Sequence, residues 1–230
     1  MSVSPIAAMF DRISPKYDRL NHLLSLNIDK VWRRKTAKAV AKQHPTSVLD
    51  LATGTADLAI AIAKRNPKAH IMGMDISERM LGIGKEKVKK QGLESQIDLH
   101  LGDAASLPFD DNSLDAVTVA FGVRNFENKD KGLAEIQRVL KPNGQTFILE
   151  FSMPGRFPMK QLYRLYFKHI LPKIGKRVSK DPGAYSYLPQ SVEAFPKPDE
   201  FLHILDDNGL KNGSAKRFSF GIATLYTANK

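Results

Sequence analysis

The sequence predicts an α/β protein built on a Rossmann-like, mostly parallel sheet of seven strands, with a helical cap before it and an antiparallel hairpin at its end. Two observations predict this fold. Between residues 44 and 152, short apolar runs alternate with stretches of helical length, which is the pattern of repeated βαβ units. After residue 198 two strand-like runs are separated by only Phe220 and Gly221, which is typical of a hairpin.

Five apolar runs predict the parallel strands, and the stretches between them predict the connecting helices. The first run stops at Thr53-Gly54-Thr55, which is typical of a buried strand that enters a tight turn. Ser77 is placed to cap a helix that ends before Gly92. The predicted strands cover residues 47–52, 70–75, 97–101, 114–121 and 145–152, and the predicted helices cover 56–65, 78–91 and 129–140.

The segments that flank this core complete a single domain. Residues 1–43 are predicted to form helices that stop at Ser14-Pro15, because proline has no amide hydrogen to donate. A last helix is predicted from Pro198 to Asn208, followed by strands over 214–219 and 222–228. We therefore divide the chain 1–230 into a helical cap (1–43), a cofactor-binding core (44–152), a lid or acceptor insert (153–197) and a C-terminal helix with hairpin (198–230).

Composition restricts the class of protein. The chain has 230 residues, of which 42% are hydrophobic and 26% charged, enough to bury a core. It has no cysteine, which excludes disulfides, thiolate metal sites and cysteine nucleophiles. The longest apolar run, 58–63, is far shorter than a membrane span, and no apolar region typical of a secretory signal follows the N-terminus. We expect a cytoplasmic protein.

The net charge of +11 lies outside the middle of the chain: residues 1–43 contribute +6, residues 44–150 contribute −2 and residues 151–230 contribute +7. A basic surface attracts nucleic acid and anionic lipid alike. Residues 156–180 contain eight basic and no acidic side chains, and on a helix Leu162, Leu165, Tyr166 and Ile170 would share one face. This segment is either a lid helix with a solvated basic edge or an anchor on the inner face of the cell membrane.

Polar residues follow the ends of the predicted strands, where parallel sheets bind their ligands. Gly54 lets a ligand approach the backbone, and Asp75 ends the second strand, where a carboxylate can accept both hydroxyls of a ribose. After the third strand, Asp103 can reach an adenine amino group and the amide of Ala104 a ring nitrogen. The further candidates for cofactor binding are Asp50, Thr53, Thr55, Ile76 and Ala120.

The turn after the first strand favours one cofactor over others. It has neither the three glycines of a dinucleotide fingerprint nor the Gly-Lys-Ser/Thr ending of a P-loop. It carries Asp57 instead, and a carboxylate is a poor neighbour for phosphate. A ligand with an adenosine, a positive charge and no phosphate suits this turn, and we predict S-adenosyl-L-methionine in preference to NAD.

Four segments carry a resemblance to a known family: Tyr17-Asp18-Arg19-Leu20-Asn21 with Trp32-Arg33-Arg34, Phe121-Gly122-Val123-Arg124-Asn125, Arg138-Val139-Leu140-Lys141-Pro142-Asn143-Gly144, and Tyr185-Ser186-Tyr187-Leu188-Pro189-Gln190-Ser191. With them the chain resembles the ubiquinone/menaquinone biosynthesis C-methyltransferases, a family of class I S-adenosylmethionine-dependent methyltransferases, from about residue 8 to residue 228. His22 departs from the family pattern, which often has Asp at this position.

The resemblance implies methylation of a ring carbon on a polyprenylated hydroquinone such as demethylmenaquinol. The enzyme must hold the two reactants in line and stabilise a phenolate-like oxygen. Arg124 is expected to pair with that oxygen or to hold a water that takes its proton, and Asn125 to orient it. The resemblance also places Tyr17, Asp18 and Asn21 in a cap that closes over the site.

The sequence leaves other functions open. The charge alone would also suit an RNA methyltransferase, but the Asn/Asp-Pro-Pro-aromatic loop is absent after strand four, and we expect no nucleic acid partner. A catalytically silent binding protein and a methyltransferase for a soluble small molecule are the alternatives. The six histidines show no metal-ligand spacing, so we expect no metal. The sequence leaves open a homodimer and the choice between naphthoquinol, benzoquinol or both.

Overall fold

The computed structural model describes residues 5–155, 157–166 and 182–230. Its centre is a sheet of seven strands: β1 (Ser47–Leu51), β2 (His70–Asp75), β3 (Ile97–Leu101), β4 (Leu114–Ala120), β5 (Leu140–Phe151), β6 (Lys211–Phe218) and β7 (Ala223–Asn229). Their order is β3-β2-β1-β4-β5-β7-β6. The first five strands are parallel, and β7 is antiparallel to both of its neighbours. The predicted fold class is confirmed.

Helices cover both faces of this sheet and extend over its carboxyl edge. They are α1 (Pro5–Leu24), α2 (Ile28–Ala41), α3 (Asp57–Ala63), α4 (Glu78–Lys90), α5 (Lys129–Val139), α6 (Met159–Leu165), α7 (Pro182–Glu193) and α8 (Pro198–Asp207). Ser77 caps α4 as predicted, because its hydroxyl accepts a hydrogen bond from the amide of Met80 at 3.2 Å. Gly92 follows with a φ of 64°, the left-handed conformation expected just past a helix.

Two apolar layers hold the helices to the sheet. Successive side chains of β1 point to opposite faces, so Val48 packs into one layer and Leu49 into the other. The first layer contains Trp32 of α2 and Ile62 of α3, whereas the second contains Ile136 of α5. All five side chains are 3% exposed or less. The sheet is therefore buried on both faces, as is usual for parallel sheets.

The predicted helix stop at Ser14-Pro15 is wrong, because α1 continues through both residues to Leu24. Pro15 has no amide hydrogen, so the carbonyl of Asp11 loses its usual partner four residues on. The Ser14 hydroxyl supplies a substitute by donating to that carbonyl at 2.9 Å. The real break falls at Leu26 and Asn27, which adopt left-handed conformations with φ of 52° and 62°.

The fifth strand begins earlier than predicted, at Leu140 rather than residue 145. Leu140 pairs in parallel with Leu114 at the start of β4, so the preceding helix ends at Val139. Strand β6 is likewise longer than its predicted run, because it begins at Lys211 rather than residue 214, whereas β7 is shifted by one residue and keeps its predicted length. Local sequence located these elements, and pairing with neighbouring strands set their ends.

Candidate active site

A cavity of about 570 Å³ opens at the carboxyl edge of the sheet. It lies where β1 and β4 are neighbours and the strand order reverses, which is the usual ligand-binding position in such sheets. Helix α1 contributes part of its wall through Ile6, Phe10 and Tyr17. The predicted site residues that line the cavity are Tyr17, Gly54, Asp75, Ile76, Asp103, Ala104, Ala120 and Asn125.

Asp75 is fixed in this wall by two backbone amides. The amide of Gly54 donates to Oδ2 at 2.8 Å, and the amide of Ser77 donates to Oδ1 at 2.9 Å. Burial raises the pKa of the Asp75 carboxyl, and these amides oppose that shift. Each carboxylate oxygen has a second lone pair, so a bound ligand can still donate hydroxyl hydrogens to it.

Gly54 has a φ of 56°, in the left-handed region that favours glycine. A Cβ built at this position would meet no atom within 4 Å, so the conformation, not crowding by protein atoms, restricts the residue here. The open space beside Gly54 and the fixed carboxylate of Asp75 form a cradle for a polar ligand. These two residues fit the adenosine portion of S-adenosylmethionine.

Asp50 and Thr53 do not line the cavity and instead hold the turn that does. Asp50 is 1% exposed, and it accepts hydrogen bonds from the hydroxyls of Thr53 at 2.7 Å and Thr118 at 2.6 Å. Burial raises the pKa of Asp50 to about 6. The amide of Thr53 donates to the carbonyl of Met74 at 2.9 Å, so β1, β2 and β4 together position the turn.

Asp18 and Thr55, predicted as catalytic and cofactor-binding residues, belong to a polar cluster outside the cavity wall. The Thr55 hydroxyl donates to Asp18 at 2.6 Å. Lys87 of α4 donates to Asp18 at 2.9 Å and to Thr55 at 3.0 Å, and it forms a further ion pair with Asp57. We call these four residues the α1 latch, because they tie α1 to α3 and α4.

His22, the departure from the family pattern, continues this polar cluster toward α2. Its Nδ1 lies 2.9 Å from Asp29 and its Nε2 lies 3.9 Å from Asp57. Asp29 is 2% exposed and also pairs with Arg33. Burial acts to raise the pKa of Asp29, but the charge of Arg33 and further partners bring it below the usual value. His22 therefore links α1, α2 and α3.

Of the three predicted catalytic residues of the helical cap, Tyr17 is the one that lines the cavity. Burial raises the pKa of its phenol, and the positive charges of Arg33 and Arg124 oppose this shift. Asn21, one turn further along α1, hydrogen-bonds to Tyr17 and does not itself line the cavity. Tyr17 thus presents a neutral hydroxyl near two cations, and Asn21 orients it.

Arg124 follows β4, as predicted, and forms a buried ion pair. Its Nη1 donates to Oε1 of Glu150 at 2.6 Å and to the carbonyl of Phe121. Glu150 is fully buried and also accepts the amide of Phe151 at 2.8 Å. Within the described part of the chain, Nε of Arg124 has no hydrogen-bond partner. The Nε–H of Arg124 is thus buried without an acceptor, and Arg124 itself is not among the residues that line the cavity.

Asn125 connects the cavity to α7. The Tyr187 hydroxyl donates to Oδ1 of Asn125 at 2.8 Å, and burial raises the pKa of that phenol. Neither Glu150 nor Tyr187 was predicted from the sequence to be a functional residue. A charged residue inside the apolar run Phe147–Phe151 was a signal for Glu150, whereas the partner of Tyr187 lies 62 residues away and leaves no local pattern.

The described residues contain neither a metal-binding cluster nor a membrane-spanning helix. No group of three or more His, Cys, Asp or Glu side chains in this part of the chain is arranged to hold a metal ion. None of its helices is both long enough and apolar enough to cross a membrane.

The model of the ubiE/COQ5 methyltransferase family matches residues 2–230. The demethylmenaquinone methyltransferase of Bacteroides fragilis is 48% identical over 225 residues, which cover 98% of this chain and 92% of that protein. The ubiquinone/menaquinone biosynthesis C-methyltransferase UbiE of Geobacter sulfurreducens is 42% identical over 226 residues, which cover 98% and 88%.

A solved structure supports the fold independently. The SAM dependent methyltransferase from Aquifex aeolicus has a TM-score of 0.60 to this chain at 21% sequence identity, and the match covers 84% of this chain and 88% of that one. At this level of identity the likeness shows the fold and not the reaction.

Proposed function

Because this chain belongs to the ubiE/COQ5 methyltransferase family, we propose that it transfers a methyl group from S-adenosylmethionine to a ring carbon of a polyprenylated hydroquinone. Relatives such as the Bacteroides fragilis protein are demethylmenaquinone methyltransferases, which makes demethylmenaquinol the first substrate to test. The observation that carries the proposal is the cavity, whose wall combines Asp75 and Asp103 with Tyr17 and Asn125.

The cofactor would be held at the ends of β1, β2 and β3. Asp75 would accept the ribose hydroxyls, and the backbone beside Gly54 would lie against the ligand. Asp103 and Ala104, which follow β3, would meet the adenine. When bound, S-adenosylmethionine supplies an electrophilic methyl group on a positively charged sulfur, and α1 would exclude water from it by covering the cavity.

The acceptor would lie near Tyr17, Asn125 and the Arg124–Glu150 pair. An aromatic carbon becomes nucleophilic when its ring hydroxyl loses a proton, so the site must stabilise a phenolate-like oxygen. The buried Nε–H of Arg124, which has no acceptor among the described residues, would suit this role, and Glu150 holds the guanidinium in place. Asn125, oriented by Tyr187, would position the ring oxygen, while the neutral phenol of Tyr17 can donate to it.

The proposal is tested by removing the gene and identifying, by mass spectrometry, the quinone intermediate that accumulates. Accumulation of a demethylated naphthoquinone supports the proposal, and an unchanged quinone pool contradicts it. The purified protein should also methylate a short-chain demethylmenaquinol. A matched benzoquinol precursor in the same assay tests the second acceptor, which the name of the Geobacter sulfurreducens relative suggests.

A further inference from the structure

The large apolar side chains that the described residues leave exposed share one edge of the molecule. They are Leu26, Ile28, Val31, Leu101, Phe157, Leu162, Leu165 and Phe220. Leu101 ends β3, Phe157, Leu162 and Leu165 follow β5, and Phe220 lies in the β6–β7 turn beside the end of β5. Leu26, Ile28 and Val31 lie at the start of α2 or just before it, close in sequence to Trp32, whose ring packs on Phe151. This carboxyl edge is also the edge at which the cavity opens. Concentration of exposed apolar groups on one side of a protein marks an interaction surface.

Seven of these side chains come from three segments, residues 25–35, 157–166 and 216–222, which we call the apolar rim. Trp32 joins the first segment to the third, because its indole N–H donates to the Ser219 hydroxyl at 2.9 Å. The Trp32 ring also packs on Phe151 at the end of β5, with 6.2 Å between ring centroids. The second segment is anchored at the same edge, because Tyr163 is buried within electrostatic range of Arg124.

Two turns of the rim hold large apolar side chains in an unfavourable backbone conformation. Leu26 has a φ of 52° and is 76% exposed, and Phe220 has a φ of 59° and is 82% exposed. Glycine or asparagine would relieve the strain at such positions, and a polar side chain would be better solvated. Neither turn is therefore explained by the folding of this chain alone, and both suit contact with an apolar medium.

The rim is basic as well as apolar. Its three segments contain eight basic residues and one acidic residue, Asp29, which is buried and paired with Arg33. The basic side chains exposed to solvent in these segments are Lys30, Arg34, Lys35, Lys216 and Arg217. Separate apolar tips surrounded by cations match the interface of an anionic bilayer, where apolar groups insert between lipids and cations remain beside the phosphates.

We propose that the apolar rim docks the protein on the surface of an anionic lipid bilayer, with the carboxyl edge of the sheet facing the lipid. The proposal rests on the proposed function in one respect, since a polyprenylated acceptor resides in the bilayer. Docking by this edge would bring the cavity to the acceptor without extracting its apolar tail into water.

The rim differs from the anchor that the sequence predicted over residues 156–180. Residues 156 and 167–180, with Ile170 among them, lie outside the described residues. In α6 the buried aromatic residue is Tyr163, while Leu162 and Leu165 are 56% and 57% exposed. Only this part of the predicted segment belongs to the rim, and the first and third segments are new.

The test is co-sedimentation of the full chain with vesicles of phosphatidylglycerol and phosphatidylcholine, compared with phosphatidylcholine alone. A double variant, Leu26→Ser with Phe220→Ser, removes both exposed turn tips. A second double variant, Arg34→Gln with Lys216→Gln, removes two exposed cations. Each cation strengthens partitioning onto anionic lipid about fivefold, so the loss of both should weaken binding roughly 30-fold at low salt. The matched control is Lys89→Gln with Lys90→Gln, which removes two exposed cations at the far end of α4.

We expect the wild type and the control to sediment with anionic vesicles, and both rim variants to lose at least about tenfold in binding. All four proteins should methylate a soluble short-chain acceptor equally, so a failure of docking is distinguishable from a failure of the proposed function. A wild type that does not bind anionic vesicles, or rim variants that bind as tightly as the control, would overturn the proposal. Loss of self-association in the rim variants, without vesicle binding by the wild type, would assign the rim to a protein interface instead.

Discussion

Asp75 is the residue on which cofactor recognition depends most directly in the proposed function. Replacement of Asp75 by Ala removes the charged acceptor for the ribose hydroxyls and also the partner of the Gly54 amide. Hydrogen bonds to a charged group contribute about 1.5–3 kcal/mol, so affinity for S-adenosylhomocysteine should fall roughly 10- to 150-fold. Isothermal calorimetry measures this directly. Asp98→Ala, an exposed carboxylate of β3, is the control, and equal affinities in the two variants would exclude Asp75 as the ribose partner.

Arg124 has two roles to separate, since it is both a candidate catalytic group and half of a buried ion pair. Arg124→Met leaves Glu150 buried without its cation, which should cost about 3–5 kcal/mol in the free energy of unfolding. Adding Glu150→Gln removes the unpaired charge and should restore much of that stability.

If Arg124 stabilises the phenolate-like oxygen, the double variant should regain its melting temperature but not its turnover. Affinity for S-adenosylhomocysteine should stay near that of the wild type in both variants, because the developing oxygen and not the sulfonium needs the positive charge. Recovery of turnover together with stability would reduce Arg124 to a structural residue.

At the scale of helices and strands, the local sequence pattern was sufficient to predict those elements whose structure is decided by residues close in sequence. The strands of the parallel sheet and the cap at Ser77 were predicted because apolar runs and capping residues act over a few positions. The predicted stop in α1 failed because Ser14 compensates for Pro15, a side-chain contact that periodicity does not report. The partners of Asp18 could not be predicted from local pattern, because Thr55 and Lys87 lie 37 and 69 residues away in the sequence.

The α1 latch makes a prediction about the lid that α1 forms over the cavity. Lys87 does not line the cavity, but it joins Asp18 of α1 to Asp57 of α3. These side chains are 22–28% exposed, so each pair is worth no more than about 1 kcal/mol. Lys87→Met should therefore weaken binding of S-adenosylhomocysteine about two- to tenfold, mainly through faster dissociation.

Stopped-flow fluorescence of a cofactor analogue measures that dissociation rate. Lys89→Met is the matched control, because it removes the same charge from an exposed position of the same helix. Identical dissociation rates in the two variants would mean that the latch does not hold the lid.

At the scale of the whole molecule, exposed basic side chains of both flanking segments lie near the edge of the sheet where the cavity opens. The middle of the chain, which contributes β1 to β4 and most of β5, has a net charge of −2, whereas the flanking segments contribute +6 and +7. The flanking segments supply α1 and α2 on one side and α6 and the β6–β7 turn on the other. Among the described residues, Lys30, Arg34 and Lys35 of the first flank and Lys216 and Arg217 of the second are exposed near the carboxyl edge of the sheet, which the +11 total could not reveal without the topology.

Stability of the whole molecule should carry the signature of Asp50, whose pKa burial raises to about 6 from a usual value of 3.8. Between these two pH values the folded protein keeps a proton that the unfolded chain has lost, so the free energy of unfolding falls as pH rises from about 4 to 6. This one group should lower the free energy of unfolding by on the order of 3 kcal/mol as pH rises from about 4 to 6. Below pH 4 both states are protonated, and the group causes no such loss of stability.

Asp50→Asn removes the titration while keeping an oxygen that can accept from Thr53 or Thr118. Its stability relative to the wild type should therefore improve by about 3 kcal/mol between pH 4 and pH 7, whatever constant offset the lost hydrogen bond causes. Urea unfolding at several pH values measures the difference, and the other carboxylates cancel because both proteins carry them. Asp207→Asn, at an exposed position, is the control, and its free energy of unfolding should change with pH as that of the wild type does. If Asp50→Asn shows the same pH dependence as the wild type, Asp50 is ionised in the folded protein throughout this range, and burial does not raise its pKa as described.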